Sequence, residues 1–209
     1  MRVAIIGTGN LGGALGRRWA AAGHTITYGS RDAASDEVKG GLPPGALLVT
    51  NADAVADADA VVIATPAMAV RELLTALGRA LDGRIVVDAT NPVGPGLMLT
   101  RGADGASQGE QVQAAFPSLR VVKAFNQVGA NVIDAHDLPT RAVQFVAGND
   151  AEARSVAVRL TTDAGFEAID AGPITRAREL EHFAMLWISL SANKSAALGR
   201  DFAFTITRR

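Results

Sequence analysis

A glycine-rich hexapeptide near the N-terminus is the first feature that could carry out chemistry. Gly7, Gly9 and Gly12 follow the apolar run of residues 3–6 with the spacing G-x-G-x-x-G. In such a loop the first glycine permits a tight turn, the second lets the backbone approach a pyrophosphate, and the third lets helix and strand pack closely. The spacing therefore predicts a dinucleotide-binding loop. Its other positions are Thr8, Asn10 and Leu11.

A second element indicates which dinucleotide the loop would bind. Residues 25–28 are β-branched and aromatic, as expected of a strand, and Gly29, Ser30 and Arg31 follow them. An acidic side chain here would accept a hydrogen bond from the adenosine ribose 2′-hydroxyl, whereas a hydroxyl and a guanidinium suit a 2′-phosphate. We therefore expect NADP(H). Asp32, one residue late for the acidic position, keeps NAD as an alternative.

Three further apolar runs, residues 60–63, 84–88 and 120–123, are expected to be buried parallel strands. Small residues, prolines and neutral amides follow them. Such residues let a flat ring approach the backbone and can hydrogen-bond a carboxamide without adding charge. Ligands of parallel sheets bind beyond the carboxyl ends of the strands, so we expect the ligand at these positions. They are Ala64, Thr65 and Pro66 after the first run, Asn91 and Pro92 after the second, and Ala124, Phe125 and Asn126 after the third.

The elements that must position these residues alternate between strand and helix. Leu11, Leu15 and Trp19 repeat at helical spacing after the glycine loop, and Gly23 stands where a left-handed cap belongs. Such alternation implies right-handed crossovers. We expect an α/β fold, a Rossmann-type, doubly wound, mainly parallel sheet with a C-terminal helical extension. Residues 1–209 would form one domain, with a core of about 1–140 and an extension of about 141–209 packed on it.

The composition excludes several classes of protein. The chain has 209 residues, 48% of them apolar, and a formal net charge of −1 without a long basic run, so neither nucleic acid nor a membrane surface is the expected partner. Cysteine is absent, which removes disulfides and thiolate chemistry. The apolar runs are too short for a membrane span. We expect a cytoplasmic protein that binds small molecules.

Residues that could ligate a metal or transfer a proton are scattered. His24, His136 and His182 have no metal-ligand spacing, so no metal site is expected. Lys194 lies late in the chain, where a solvated lysine is common. The strand ends carry no Ser-His-Asp set and no paired carboxylates.

Taken together, these motifs resemble the NADPH-dependent coenzyme F420 reductase family, and also the NADPH-binding domain of the STEAP metalloreductases. The resemblance implies that Thr8, Asn10 and Leu11 contact the pyrophosphate, and Ser30 and Arg31 the 2′-phosphate. It also implies that four residues lie at the nicotinamide, namely Thr65, Pro66, Asn91 and Pro92. Ala124, Phe125 and Asn126 would lie near the place where the two redox rings meet.

The resemblance implies hydride transfer between NADP(H) and coenzyme F420 or a flavin, FMN or FAD. The cofactors carry such chemistry, so we expect no catalytic acid or base, with Asn91, Phe125 and Asn126 positioning the rings. One alternative is a small carbonyl, imine or hydroxy-acid dehydrogenase, with Lys194 or His182 as general acid. Another is a non-catalytic NADP-sensing module.

A late helix, from about Arg176 to about Leu198, is apolar on more than one face. Exposed apolar patches of that size usually mark interfaces, so we expect a homodimer. Alternatively, Phe202 and Phe204 of the tail cover this helix within one chain.

Overall fold

The computed structural model of the protein describes residues 1–102, 104–135, 139–196 and 198–209. Strands and helices alternate over most of this length. In chain order, the strands β1 to β10 are Arg2–Ile6, Thr25–Ser30, Leu47–Thr50, Ala60–Ile63, Ile85–Asp88, Val93–Gly94, Met98–Leu99, Arg120–Lys123, Val143–Gly148 and Glu167–Gly172. The helices α1 to α8 are Asn10–Ala21, Asp36–Gly40, Asn51–Ala56, Val70–Leu77, Gln108–Ala115, Ala130–Asp134, Ala151–Asp163 and Ala177–Ala192.

Eight of these strands form one sheet with the order β10-β9-β8-β5-β4-β1-β2-β3. Every neighbouring pair is parallel except β8 and β9. The chain builds outward from β1 through β2 to β3, then returns to the other side of β1 with β4. This reversal places a crevice between the ends of β1 and β4, where doubly wound sheets bind their ligands. The predicted fold class is confirmed, and the C-terminal extension adds β9 and β10 to the same sheet.

The sheet is covered on both faces. Trp19 of α1 is fully buried on one face, and its indole N–H donates to the carbonyl of Leu160 in α7 at 2.8 Å. On the same face the Tyr28 hydroxyl donates to the carbonyl of Gly12 at 3.2 Å, and burial raises the pKa of Tyr28 to about 12. On the other face, Val55, Leu74 and Val112, from α3, α4 and α5, form a second core. The central strands are therefore apolar on both sides, as their sequence predicts.

The C-terminal tail packs on α8. This helix ends at Ala192, earlier than predicted, because Asn193 leaves the helical conformation. The Phe202 ring stacks on Trp187 with centroids 5.4 Å apart, and the Phe204 ring lies 4.6 Å from that of Phe183. The tail thus covers part of the apolar surface of α8 within one chain, as the alternative to a dimer interface expects. The homodimer stays a prediction.

None of the helices in the described ranges is long and apolar enough to cross a membrane.

Candidate functional site

The glycine loop joins β1 to α1 against the end of β4. Gly7 has a φ of +120°, and a Cβ there would stand 2.6 Å from the carbonyl oxygen of Ala64. A Cβ on Gly12 would overlap the carbonyl oxygen of Gly7. At Gly9, by contrast, a Cβ would meet no described atom within 4 Å. Two glycines therefore fit the loop to its neighbours, and the third leaves open space where a ligand could lie.

The first turn of α1 faces this space with free backbone donors. Gly9 is the N-cap residue, and among the described residues no side chain caps the helix. The helical hydrogen bonds start with Gly13 N–H, which donates to the carbonyl of Gly9 at 2.8 Å. The first turn also contains no acidic residue. A helix N-terminus in this state binds anions through its amides and its dipole, as a pyrophosphate requires.

Ser30 and Arg31 lie at the end of β2, beside the loop. Ser30 Oγ accepts from the backbone N–H of Asp32 at 3.1 Å, and the Asp32 carboxylate accepts from the N–H of Ala34 at 3.1 Å. Arg31 is exposed and makes no ion pair with any residue that the structure describes. Asp32 therefore stabilises its own turn, whereas the guanidinium of Arg31 is available to an anion.

Asn51 is a candidate that the sequence analysis missed. It follows β3 directly, next to Ser30, which is in register with Thr50. Its side-chain oxygen is buried and has no hydrogen-bond partner in the described chain, and it would lie 2.8 Å from a Cβ on Gly29. The sequence contains the information needed to name Asn51, because β3 ends at the same sheet edge as β2 and a polar residue follows β3.

Thr65, at the end of β4, carries a second unpaired polar atom. Its hydroxyl oxygen is buried and has no partner in the part of the chain described here. A buried polar group without a hydrogen bond costs about 1–3 kcal/mol. Because Ala64 contacts Gly7 across the crevice, a ligand lying over β1 and β4 would be within reach of this hydroxyl. Pro66, the next residue, is exposed at the same edge.

Asn91 and Asn126 are brought together across the edge of the sheet. Asn126 Nδ2 donates to Asn91 Oδ1 at 3.0 Å and to the carbonyl of Leu180 in α8 at 3.2 Å, which uses both of its protons. Asn91 Nδ2 donates to the carbonyl of Asn126 at 2.6 Å, and its second proton has no acceptor among the described residues. Asn91 can therefore still donate to a ligand, whereas Asn126 holds Asn91 and α8 in place. Pro92 is half-buried beside them.

The neighbouring Phe125 points into the core. Its ring is fully buried and contacts Trp19 edge to face, with centroids 5.3 Å apart. The backbone of Phe125 has a φ of +60°, unusual for a residue with a side chain. Phe125 and the equally buried Ala124 therefore present only their backbone at the strand edge.

A buried ion network lies directly beneath this edge, and the sequence analysis missed it. Lys123 Nζ lies 3.0 Å from Asp88 Oδ2 and 3.0 Å from Glu181 Oε1, and it donates to the carbonyl of Thr90 at 2.6 Å. All three charged side chains are at most 1% exposed. Burial by itself would lower the pKa of Lys123, but the charges of Asp88 and Glu181 and their hydrogen bonds outweigh it, so the pKa is raised. The lysine is therefore a structural cation that ties α8 to two strand ends.

The other titratable candidates do not join this edge. His24 Nε2 lies 3.0 Å from Asp163 Oδ2, at the opposite end of β2, and is therefore structural. His182 is exposed on α8 and contacts Arg101. Lys194 is exposed after α8. His136 lies outside the described residues. Within the described ranges no group of His, Cys, Asp or Glu could hold a metal ion.

The site therefore fits a dinucleotide. It combines a helix end suited to an anion with three groups that lack a partner among the described residues. These are the guanidinium of Arg31, the buried hydroxyl of Thr65 and one amide proton of Asn91. All of these lie along the carboxyl edge of the sheet, on both sides of the crevice between β1 and β4.

The chain is similar in sequence and in structure to several known proteins. A sequence model of the family described as NADP oxidoreductase, coenzyme F420-dependent, matches residues 2–92. The F420-dependent NADP reductase of Methanothermobacter thermautotrophicus is 31% identical over 208 residues, which cover 91% of this chain and 89% of that protein. A crystal structure of a protein from Arthrobacter sp. FB24, proposed to be an F420-dependent NADP-reductase, is 34% identical, with a TM-score of 0.85 and 100% of both chains covered.

Metalloreductase STEAP3 of Rattus norvegicus is 27% identical over 180 residues. That match covers 86% of this chain but 36% of the metalloreductase. The likeness to STEAP3 is therefore limited to about a third of that protein's length.

Proposed function

The chain belongs to the family of coenzyme F420-dependent NADP oxidoreductases, and on this basis we propose that it transfers hydride between NADP(H) and coenzyme F420 or a flavin. Membership confirms the family predicted from the motifs and makes the protein an NADP-dependent oxidoreductase. The acceptor and the residue roles below are our proposal. The observation that carries it is the line of groups suited to a dinucleotide along the crevice between β1 and β4, which continues into neutral amides.

The groups at β1 and β2 would hold the phosphates of NADP(H). The backbone amides that open α1 would bind the pyrophosphate, with Thr8, Asn10 and Leu11 around it. Ser30 and Arg31 would bind the 2′-phosphate, where the guanidinium forms charge-assisted hydrogen bonds. Arg31 is available for this role because it pairs with none of the described residues.

The groups at β4, β5 and β8 would orient the nicotinamide. The hydroxyl of Thr65 would gain a partner, and the free N–H of Asn91 can donate to a carboxamide oxygen. Asn126 would act through Asn91 and the carbonyl of Leu180 rather than by touching the ring. The bound NADPH supplies the hydride, and the protein's part is to position the two rings and exclude water.

Arg31→Ala tests the choice of NADP(H) over NAD(H). Loss of one charge-assisted contact should weaken NADPH binding by about 1.5–3 kcal/mol, roughly ten- to a hundredfold in Kd, and leave NADH binding unchanged. Arg2→Ala is the control, because Arg2 is an exposed arginine at the opposite end of the sheet, paired with Asp59 at 2.8 Å. Equal weakening of NADH and NADPH by Arg31→Ala would refute the assignment.

Turnover assays test the acceptor. We expect NADPH oxidation with F420, FMN or FAD, and none with small carbonyls or imines. His182→Ala and Lys194→Ala should each keep most of this activity, as should His136→Ala, because ring-to-ring transfer needs no protein acid. If one of these variants stays folded and binds NADPH but loses turnover, the protein is a dehydrogenase with a proton donor. NADPH binding without turnover on any acceptor would identify a sensing module.

A further inference from the structure

A cleft opens between α4 and α5, next to the proposed nicotinamide end of the site. Its volume is about 150 Å³. Arg71, Gln108 and Gln111 supply polar groups, and apolar side chains form the remaining walls. The apolar residues are Ala67, Val70, Val112, Ala115 and Phe116.

Both walls of this cleft continue directly from strand ends of the site. Ala67 follows Pro66, which lies three residues after the end of β4. On the other wall, Gln108 Nε2 donates to the hydroxyl of Thr90 at 2.6 Å, and Thr90 precedes Asn91. A molecule lying against the nicotinamide could therefore extend a substituent into the cleft without leaving the surface of the protein.

The cleft is suited to a small anionic group. A water molecule occupies about 30 Å³ of the liquid, so the cleft has room for a phosphate or a carboxylate, but complete ligand sites usually measure about 300 Å³ or more. Arg71 provides a positive charge at the wall and forms no ion pair with any described residue. The carboxylate of Glu110, on α5, does not neutralise it, because Arg178 pairs with that carboxylate at 2.7 Å.

We propose that this cleft binds the anionic tail of the redox acceptor, a phosphate or carboxylate carried on a flexible chain from the reacting ring. The assignment rests on the proposed transfer of hydride to F420 or a flavin. Arg71 binds the anion, Gln108 and Gln111 line its path, and the apolar wall contacts the linker. The tail thereby selects acceptors, while the reacting rings meet at the strand edge.

Acceptors with and without a tail provide the test. In Arg71→Ala, KM should rise about tenfold for FMN and for F420, with kcat within about twofold, because one exposed charge-assisted contact is lost. Riboflavin and the tail-less deazaflavin of F420 should keep their KM. Arg71→Lys should raise the KM for FMN and F420 less than Arg71→Ala does, because lysine keeps the positive charge. Arg79→Ala is the matched control, since Arg79 is a 98% exposed arginine paired with Asp82 just beyond α4.

Inorganic phosphate provides a second measurement. With saturating NADPH in the proposed phosphate sites at α1 and Arg31, it should compete with FMN but not with riboflavin in the unaltered protein, and Arg71→Ala should abolish that competition. Equal KM changes for tailed and tail-less acceptors, or unchanged KM for both FMN and F420, would overturn the tail site and leave the proposed function standing. Failure of the unaltered protein to reduce any flavin or deazaflavin would refute the proposed function, and the tail site with it.

Discussion

Lys123→Met should destabilise the protein strongly, although the exchange hardly changes the length of the side chain. Lys123 is fully buried and lies 3.0 Å from each of two carboxylates, Asp88 and Glu181. Removing its charge leaves both carboxylates buried without their cation. The perturbation therefore tests whether this network holds α8 against the strand ends.

The size of the stability loss depends on the hydrogen bonds that each carboxylate keeps in the variant. Breaking a buried ion pair by removing one partner costs about 3–5 kcal/mol. Asp88 Oδ1 still accepts from the N–H of Thr90 at 2.9 Å, and Glu181 still accepts from the N–H groups of Gln108 and Gly109 at 3.2 and 3.3 Å. Because these donors remain, we expect the lower half of the range, about 3–4 kcal/mol. That is a large part of the stability of an ordinary domain, about 5–15 kcal/mol.

Urea unfolding at pH 7 measures this loss, provided that the slope m stays constant. Lys39→Met is the matched control, because Lys39 forms an exposed pair with Asp36, 3.6 Å apart, and exposed pairs contribute about 0–1 kcal/mol. The double variant Lys123→Met with Glu181→Gln should recover part of the stability, since glutamine removes one of the unbalanced charges.

The pH dependence separates loss of charge from loss of packing. In the unaltered protein the pKa of Lys123 is raised, so its stabilisation is complete below its ordinary value of 10.5 and is lost only as the pH rises through the folded value. In Lys123→Met a buried carboxylate should take up a proton more readily when folded than when unfolded. The stability of the Lys123→Met variant relative to the unaltered protein should therefore increase as the pH falls from 7 to 5. A loss below about 1 kcal/mol at pH 7, or a deficit independent of pH, would refute the reasoning.

Three further predictions concern the dinucleotide edge and the assembly. Gly12→Ala should lower the free energy of unfolding, measured by heat or urea, by about 3 kcal/mol or more, because its Cβ would overlap the Gly7 carbonyl. Gly9→Ala should keep the fold and weaken NADPH binding in a fluorescence titration. Equal stability of the two variants would contradict the packing role of Gly12. Asn126→Ala should lower kcat with flavin or F420 while the Kd for NADPH stays within a few-fold, because it frees Asn91 and α8; unchanged kcat would show that this link is dispensable. Sedimentation at low micromolar concentration should show a homodimer through the surface of α8 around Leu186, still 48% exposed, and a strictly monomeric protein would exclude that interface.

Much of the fold could be predicted because it is encoded over short distances. Apolar runs such as residues 60–63 give buried parallel strands, and the spacing of Leu15 and Trp19 gives α1. Ser107 and Glu110, three residues apart, form a capping box at the start of α5. Since strands of a doubly wound sheet present their carboxyl ends at one edge, the segments that could meet a ligand could be named as well.

The tertiary structure decided how individual side chains at that edge are used. Lys123 ends a predicted strand, but nothing local indicates that Glu181, on a distant helix, lies beside it. Asn126 and Phe125 were both expected to position rings. Asn91 and the Leu180 carbonyl of α8 accept both amide protons of Asn126, and packing against Trp19 buries the Phe125 ring.

The sequence by itself therefore determined the alternation of the main strands and helices, the glycine loop, the position of Arg31 after β2 and the family. These depend on residue type and short spacing. Only the tertiary structure decided that β9 runs antiparallel to β8 and that the tail covers Phe183 and Trp187. It also decided that the Thr65 hydroxyl has no partner among the described residues. Strand direction, burial and hydrogen-bond satisfaction depend on groups that are far apart along the chain, and they become defined only when the whole sheet and its covering helices are packed together.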